Sequence, residues 1–175
     1  IISRGPGTDS NGMLNSEETV SIKIPAGVED EMQLKVSGKG NAAPGNGISG
    51  DLLVAISEAP HPKLQREGDN LHYDLYISLP DAILGSSEEI DTVTGKVRLK
   101  IESGVQSGKI LRLRGKGIPN LNGYNKGDLL VHVNVWTPKT LNKDQKKFFE
   151  KMRNNEHFNP KPEISDKSFF EKVKD

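Results

Sequence analysis

The chain has 175 residues, 33% of them hydrophobic and 27% charged, which favours small two-layer units over one thick core. Its 24 basic and 24 acidic side chains give a formal net charge of zero, which disfavours nucleic acid as a partner because nucleic-acid binders usually carry a basic surplus. The absence of cysteine excludes disulfides and thiolate zinc sites, and since no apolar run approaches the roughly 20 residues that span a bilayer, we expect a cytoplasmic protein with no membrane partner.

Residues 1–16 are rich in glycine, serine and asparagine and predict a loop. Beyond them, apolar and polar residues alternate in six segments that are separated by glycine or proline, which is the pattern of half-buried strands joined by turns. These segments are Val20–Ile24, Met32–Val36, Leu71–Leu79, Val97–Ile101, Leu111–Leu113 and Leu129–Val135. A short helix is expected over Pro80–Gly85, followed by a further element over Glu88–Val93.

Two parts of the chain repeat each other at a constant offset of 77 residues. We call residues 20–54 the first copy and residues 97–131 the second copy. The matched segments are Val20–Ile24 with Val97–Ile101, Gly38–Gly40 with Gly115–Gly117, and Gly50–Val54 with Gly127–Val131. This offset is too long for most solenoid repeats, so it predicts two tandem copies of one small domain.

The repeated Gly-Lys-Gly triplets have a structural and a functional interpretation. At the end of a strand, glycine permits a positive φ or a bulge, which is the interpretation we favour. A phosphate-binding loop is the alternative, but only three residues separate Gly104 from Gly108, and Ile110 stands where Ser or Thr should be. Asp51 and Asp128 recur at matched positions, which favours a structural role over a catalytic one.

The two copies differ in what precedes them. The strand, helix and further element over residues 71–93 precede the second copy, whereas the first copy has no room for their counterparts in this chain. We therefore expect the first domain to be N-terminally incomplete, with an exposed edge that is a liability for pairing.

The C-terminal part predicts a helix over Lys143–His157. Asn142 and Gln145 have the spacing of a capping box. Apolar residues lie at helical spacing on one side, and we expect them to cover the second domain or, as we favour, to form a dimer interface. These residues are Leu141, Phe148, Phe149 and Met152. Residues 159–175 predict a tail in which Phe169, Phe170 and Val173 form a short docking segment.

No pattern in the chain indicates an enzyme, a metal site or a cofactor. The four histidines, at positions 61, 72, 132 and 157, do not form a ligand spacing, and the acidic cluster at Glu88, Glu89 and Asp91 is better explained as a solvated surface. A tandem β-sandwich adhesion or carbohydrate-binding module remains an alternative function, although Trp136 is the only tryptophan available as an aromatic platform.

The combination of motifs resembles the DnaJ-type co-chaperones. The signature consists of Ile24–Val28, Gly38–Gly40, Gly50–Val54, the stretch from His61-Pro62 through Leu64 to Arg66, and Ala82–Gly85. The resemblance covers residues 17–157. It implies a mostly β protein of two tandem small β-sandwich domains followed by a C-terminal α-helix. It also implies a homodimer that takes part in protein folding and the stress response, and that binds unfolded polypeptide clients for a DnaK-type ATP-driven chaperone.

Within this family a client adds a strand to an edge of the first domain and inserts an apolar side chain into a pocket. The resemblance places Leu64 at the pocket, in a polar stretch bounded by proline that predicts a loop. It places Met32, Leu34 and Val36 on the nearby strand, where ordinary core is the other interpretation. The expected division is loop 1–16, first domain 17–66, second domain 67–140, and dimerisation helix with tail 141–175. The chain departs from the family in lacking zinc-binding cysteines, the J-domain His-Pro-Asp signature and the upstream strands of the first domain.

Overall fold

The computed structural model describes residues 2–9, 12–43 and 47–162. Strands dominate these residues, and two α-helices and one 3-10 helix accompany them. The elements are β1 (Ile2–Asp9), β2 (Gly12–Glu18), β3 (Gln33–Val36), β4 (Leu52–Ala55), β5 (Leu64–Glu67), β6 (Asn70–Ser78), α1 (Leu79–Leu84), β7 (Ser86–Thr92), β8 (Gly95–Ile101), β9 (Ile110–Leu113), β10 (Leu129–Trp136), α2 (Lys143–Met152) and the 3-10 helix Glu156–Phe158. The prediction of a mostly β chain with a C-terminal helix is confirmed.

The strands form one four-stranded sheet and three hairpin-like pairs. The larger sheet has the order β5-β6-β10-β9, and the pairs are β1–β2, β3–β4 and β7–β8. Each of these pairs is antiparallel, with Leu34 opposite Val54 in β3–β4 and Ile90 opposite Val97 in β7–β8.

Two predictions near the N-terminus are wrong. Residues 2–9 and 12–18 form the antiparallel pair β1–β2 instead of a loop, because main-chain pairing does not require the apolar alternation on which the prediction depended. Val20–Ile24 forms no strand, although its match in the second copy is β8. The strand β8 forms because it pairs with β7, whereas the described part of the first copy has no strand that pairs with Val20–Ile24. Alternation of apolar and polar residues is therefore not sufficient to form a strand here, and Ile24 is 61% exposed.

The chain divides into two compact units. The first unit comprises Ile1–Tyr73 and Arg112–Leu130, and the second comprises Asp74–Leu111 and Val131–Asp175. Leu64, Leu71 and Leu129 are the buried apolar residues of the described first unit. In the described second unit the core is larger and consists of Leu75, Ile77, Ala82, Ile90, Leu99, Ile101, Val131 and Val133.

The 77-residue repeat is visible in the main-chain hydrogen bonds. The amide of Gly40 donates to the carbonyl of Gly50 at 2.8 Å, and Gly117 donates to Gly127 at 2.8 Å. Three further bonds of the first copy are matched at the same offset. In each case the amide of the first residue donates to the carbonyl of the second. The bond Ile56 to Met32 matches Val133 to Lys109, the bond Glu31 to Ile56 matches Gly108 to Val133, and the bond Gly50 to Asn41 matches Gly127 to Ile118. The two copies therefore share one backbone frame.

The first glycine of each Gly-Lys-Gly triplet has the positive φ expected of it. Gly38 has a φ of 70° and Gly115 a φ of 67°. The second glycine serves close approach instead, because a Cβ on Gly40 would lie 2.4 Å from the carbonyl oxygen of Asp51. The structural interpretation of the triplets is confirmed.

The two aspartates lock this turn in both copies. The amide of Gly38 donates to Asp51 Oδ1 at 3.0 Å, and the amide of Gly115 donates to Asp128 Oδ1 at 2.8 Å. Lys35 lies 2.7 Å from Asp51, and Arg112, its match, binds Asp128. These donors hold the pKa of each carboxyl below its usual range: the Gly115 amide contributes most for Asp128, and Lys35 for Asp51. The expected structural role is confirmed.

Both helices begin at side-chain caps. Ser78 accepts from the amide of Asp81 at 3.1 Å and begins α1, and Gly85 ends it with a φ of 83°. Asn142 and Gln145 form the predicted capping box, with both hydrogen bonds at 2.9 Å. The prediction that this helix reaches His157 is wrong: α2 ends at Met152, because Asn155 caps a separate 3-10 turn by accepting from the amide of His157.

Candidate functional site

The strand β3 has one apolar and one polar side. Met32, Leu34 and Val36 lie on the same side and are half-buried, whereas Gln33 and Lys35 on the other side are exposed. The structure therefore brings three of the four predicted peptide-binding residues to one surface. Met32 is held there in part by its sulfur, which accepts from the amide of Glu29 at 3.3 Å.

The neighbouring strand β4 extends this apolar surface. Leu52 and Val54 of β4, and Ile56 just after it, are only half-buried. The residues at the matched positions, 77 residues later in the chain, are 0% exposed. The pairs are Leu52 with Leu129, Val54 with Val131, and Ile56 with Val133. We give the name open face to six half-buried apolar residues that lie on β3, on β4 or directly beside these strands, namely Met32, Leu34, Val36, Leu52, Val54 and Ile56.

The edges of β3 and β4 differ from those of their counterparts. Within the described residues β3 and β4 pair only with each other, whereas β10, the match of β4, pairs with β9 on one side and β6 on the other. The first copy thus has a strand edge with unpaired main-chain groups next to an incompletely buried apolar surface, a combination that a further extended strand would satisfy.

The polar and proline-rich surroundings of Leu64 predict a loop, but the structure places this residue in a strand. It begins β5, pairs with Tyr73 of β6 and is 7% exposed. His61 sets this position, because its Nδ1 accepts from the amides of Lys63 and Leu64 at 3.2 and 3.0 Å. The structure places Leu64 in a different sheet from β3, and its role at a pocket stays a prediction.

Arg66 has a structural role that sequence reasoning missed. Its guanidinium donates to the carbonyl oxygens of Val28 at 2.6 Å, Gly27 at 3.0 Å and Gly68 at 2.8 Å. It also lies 3.3 Å from Glu58. Arg66 therefore fastens the turn that leads into β3 to the β5–β6 hairpin. The "H-P-x-hydrophobic-x-R" spacing was the available signal, since His61 and Arg66 flank Leu64.

The α2 helix exposes much of its apolar side. Leu141, which precedes the cap of α2, is 41% exposed and Phe148 is 53% exposed, while Phe149 and Met152 are half-buried. The two phenyl rings meet edge to face with centroids 5.4 Å apart. Leu141, Phe149 and Met152, together with Phe158, border a groove whose rim carries the charged side chains of Lys139, Lys146, Glu150 and Arg153. We call this groove, with the adjoining exposed ring of Phe148, the α2 surface. All four predicted dimerisation residues contribute to it.

Comparison with known proteins decides the family. A family model described as DnaJ C terminal domain matches residues 8–138. The chain belongs to the DnaJ C-terminal domain family. The family predicted from the sequence motifs is thus confirmed.

Similar full-length proteins carry the name Chaperone protein DnaJ. The relative from Bacteroides thetaiotaomicron is 50% identical over 159 residues, which cover 91% of this chain and 40% of the relative. The relative from Bacteroides fragilis is 51% identical over 158 residues, 90% of this chain and 40% of the relative. The relative from Porphyromonas gingivalis is 48% identical over 149 residues, which cover 85% of this chain and 39% of the relative. The chain thus spans about two fifths of the length of these relatives, whose name denotes a chaperone, which is not an enzyme class.

In this DnaJ C-terminal domain, the described residues contain no group of three or more His, Asp or Glu side chains that could hold a metal ion. No helix in the described part of the chain is long and apolar enough to cross a membrane. Phe169, Phe170 and Val173, the predicted docking segment, lie outside the residues that the structure describes.

Proposed function

We propose that this chain holds unfolded or partly folded polypeptide clients, in the cytoplasm, for transfer to a DnaK-type ATP-driven chaperone. The open face is the observation that carries the proposal, and family membership supports it. A client segment would add as a strand at the edge of the β3–β4 pair and place an apolar side chain against Leu34 and its neighbours.

The chemistry of the open face suits a sequence-tolerant ligand. Main-chain hydrogen bonds to a strand edge depend little on the client's side chains, whereas a half-buried apolar surface selects for apolar residues. Met32 adds an adaptable thioether to this surface, and such side chains accommodate apolar groups of different shapes. Non-native chains expose apolar segments of this kind, which makes them the client class that fits best.

We also propose that Leu64 contributes to the pocket from below the surface. Its 7% exposure leaves little of the side chain for direct contact with a client. Leu64→Met, which keeps the volume but changes the shape, should therefore alter client affinity by less than Leu34→Ser does.

Client binding can be tested with a matched pair of variants. Leu34 and Leu111 occupy the same repeat position and are both half-buried. Leu34→Ser should weaken the binding of a labelled apolar peptide about tenfold, since it removes one leucine's worth of apolar contact, whereas Leu111→Ser should leave the dissociation constant unchanged. Fluorescence anisotropy of the peptide gives both values.

A second measurement separates the chaperone from the alternative function. The chain should suppress aggregation of a denatured model protein, and Leu34→Ser should reduce that suppression. If the chain does not suppress aggregation and is instead retained on a glycan matrix, the adhesion or carbohydrate-binding function replaces the proposed one. Equal effects of Leu34→Ser and Leu111→Ser would remove the open face as the site.

Dimerisation through the α2 surface is the other part of the proposal. Phenylalanine side chains exposed beside a charged rim have the arrangement of an interface core with its polar border. In light scattering, the Phe148→Asp, Phe149→Asp double variant should be monomeric, whereas Lys147→Asp, which adds a carboxylate elsewhere on α2, should remain dimeric. A monomeric unmodified chain at micromolar concentration would contradict the proposal.

A further inference from the structure

A second groove lies in the second unit, away from the α2 surface. It has a volume of about 950 Å³ and lies between the end of α1 and the β7–β8 hairpin. Its walls carry the side chains of Leu84, Ser87, Arg98, Lys100, Glu102 and Ser103. Leu84 belongs to the Ala82–Gly85 motif, but neither the family motifs nor the open face include the other five residues.

The outer side of the β7–β8 hairpin has more cations than anions. Across the hairpin, Asp91 faces Lys96, Glu89 faces Arg98 and Ser87 faces Lys100. Three basic residues of β8 thus face only two acidic residues of β7. At the groove, Ser87 lies opposite Lys100, so the positive charge of Lys100 has no acidic residue directly across the hairpin.

Ion pairing within the hairpin sharpens this imbalance. Glu89 accepts from Lys96 at 2.7 Å, diagonally across the strands, and not from Arg98 directly opposite. In the part of the chain that the structure describes, neither Arg98 nor Lys100 forms an ion pair, and both are exposed. Glu102 is the one carboxylate of the lining. Two cations therefore face the groove, and no carboxylate of the described residues lies at salt-bridge distance from either of them.

The groove also suits an extended backbone. Leu84, at the end of α1, is 78% exposed and supplies an apolar wall beside the two cations. Among the described residues, β7 and β8 pair only with each other, so each has an outer edge open to a further strand. Ser87 and Ser103 add hydroxyl groups that can donate to carboxylates.

We propose that this groove binds an acidic, extended peptide segment of a partner protein. Carboxylates of the segment pair with Arg98 and Lys100, and an apolar residue next to them contacts Leu84. Arg98 can hold a carboxylate with two parallel hydrogen bonds, which Lys100 cannot. A single-stranded nucleic acid fits less well, because the lining has no aromatic side chain for base stacking and includes Glu102.

The proposal is tested by peptide binding to the full chain. The probe is a labelled peptide as long as β8 in which leucine and glutamate alternate, and the comparison peptide has glutamine in place of glutamate. The glutamate peptide should bind at least about tenfold more tightly, and this preference should shrink at high salt because the cations are exposed. Equal affinity for the two peptides would overturn the proposal.

Matched variants locate the binding. Arg98→Gln with Lys100→Gln should abolish the preference for the glutamate peptide, whereas Lys109→Gln with Lys126→Gln, which removes the same charge from exposed positions elsewhere, should preserve it. All four positions are exposed, so the melting temperature should stay within about 2 °C of the parent value. An equal loss in both double variants would indicate unspecific attraction and overturn the site.

Two further outcomes separate this groove from other ligands. If a single-stranded oligonucleotide binds more tightly than the glutamate peptide and depends on Arg98 and Lys100, the groove is a nucleic-acid site and the peptide proposal fails. Leu34→Ser should leave glutamate-peptide binding unchanged, and the Arg98, Lys100 double variant should leave apolar-peptide binding unchanged. The failure of either proposed site can therefore be distinguished from failure of the other.

Discussion

Two leucine-to-alanine variants at matched positions of the two copies can show whether the open face is less buried than its counterpart. Leu52 and Leu129 occupy the same position of the two copies, each directly after the aspartate that locks its turn, and both belong to the first compact unit. Leu129 is 0% exposed, whereas Leu52 is half-buried. Leu129→Ala should therefore reduce the free energy of unfolding by about 2–5 kcal/mol, as in other fully buried leucines. Leu52→Ala should cost about 1–2 kcal/mol, because water already contacts part of its side chain.

Urea denaturation followed by circular dichroism gives both losses, provided that the slope of the free energy with urea is the same in the parent and the variants. Adding the apolar peptide in excess should stabilise the Leu129→Ala variant as much as the parent chain, and the Leu52→Ala variant less, since only Leu52 lies on the open face. Losses that agree within about 0.5 kcal/mol would show that the two faces are covered alike. The open face would then be ordinary core, and the proposed client site would lose its basis.

Three further predictions concern the frame that carries these surfaces. Glu31 has a φ of 63° where the second copy has Gly108, so Glu31→Gly should raise stability by up to about 1 kcal/mol and Gly108→Ala should lower it; a lower melting temperature for Glu31→Gly would contradict this. Because Asp51 and Asp128 have lowered pKa values in the folded chain, their contribution is present above the ordinary value of 3.8 and is lost as the pH falls through the lowered values. Asp128→Asn should thus flatten the decline of the melting temperature below about pH 4, and an unchanged decline would refute it. Asn142→Ala removes the cap of α2 and should cost about 1 kcal/mol of helix stability, with weaker dimerisation in light scattering; Asn142→Ser, which keeps a capping oxygen, is the control.

The repeat was the most informative sequence feature, because the repeated glycines and aspartates are residue types that particular backbone conformations and hydrogen bonds require. Gly38 and Gly115 have a positive φ, and Asp51 and Asp128 accept from their amides. Such requirements are local, so equal spacing in the sequence predicts equal geometry. The capping box of Asn142 was predictable for the same reason.

Features that depend on a distant partner could not be predicted in this way. The alternation at Val20–Ile24 equals that of β8, but a strand also needs a neighbour, which β8 has in β7. Polar neighbours and a proline placed Leu64 in a loop, whereas pairing with Tyr73 and the hydrogen bonds from His61 bury it at the start of β5. Likewise, the groove at Arg98 and Lys100 depends on which acidic residues lie opposite them, and this register is set by the hairpin and not by composition.

The hydrogen bonds that the two copies share explain how the first copy can have an open face and still be ordered. The bonds that define the frame join main-chain groups to each other and to an aspartate, as in Gly40 to Gly50 and Gly38 to Asp51, and none of them requires that the apolar side be covered. The second copy has β6 beside β10, and Leu129, Val131 and Val133 of β10 are completely buried. Among the residues that the structure describes, the first copy has the same turns and strand pair without such a neighbour, so the apolar residues of the open face are fixed in position and yet only half-buried. A surface ordered before its ligand arrives has little conformational entropy left to lose on binding, and therefore a weakly selective apolar contact can still give useful affinity for a client.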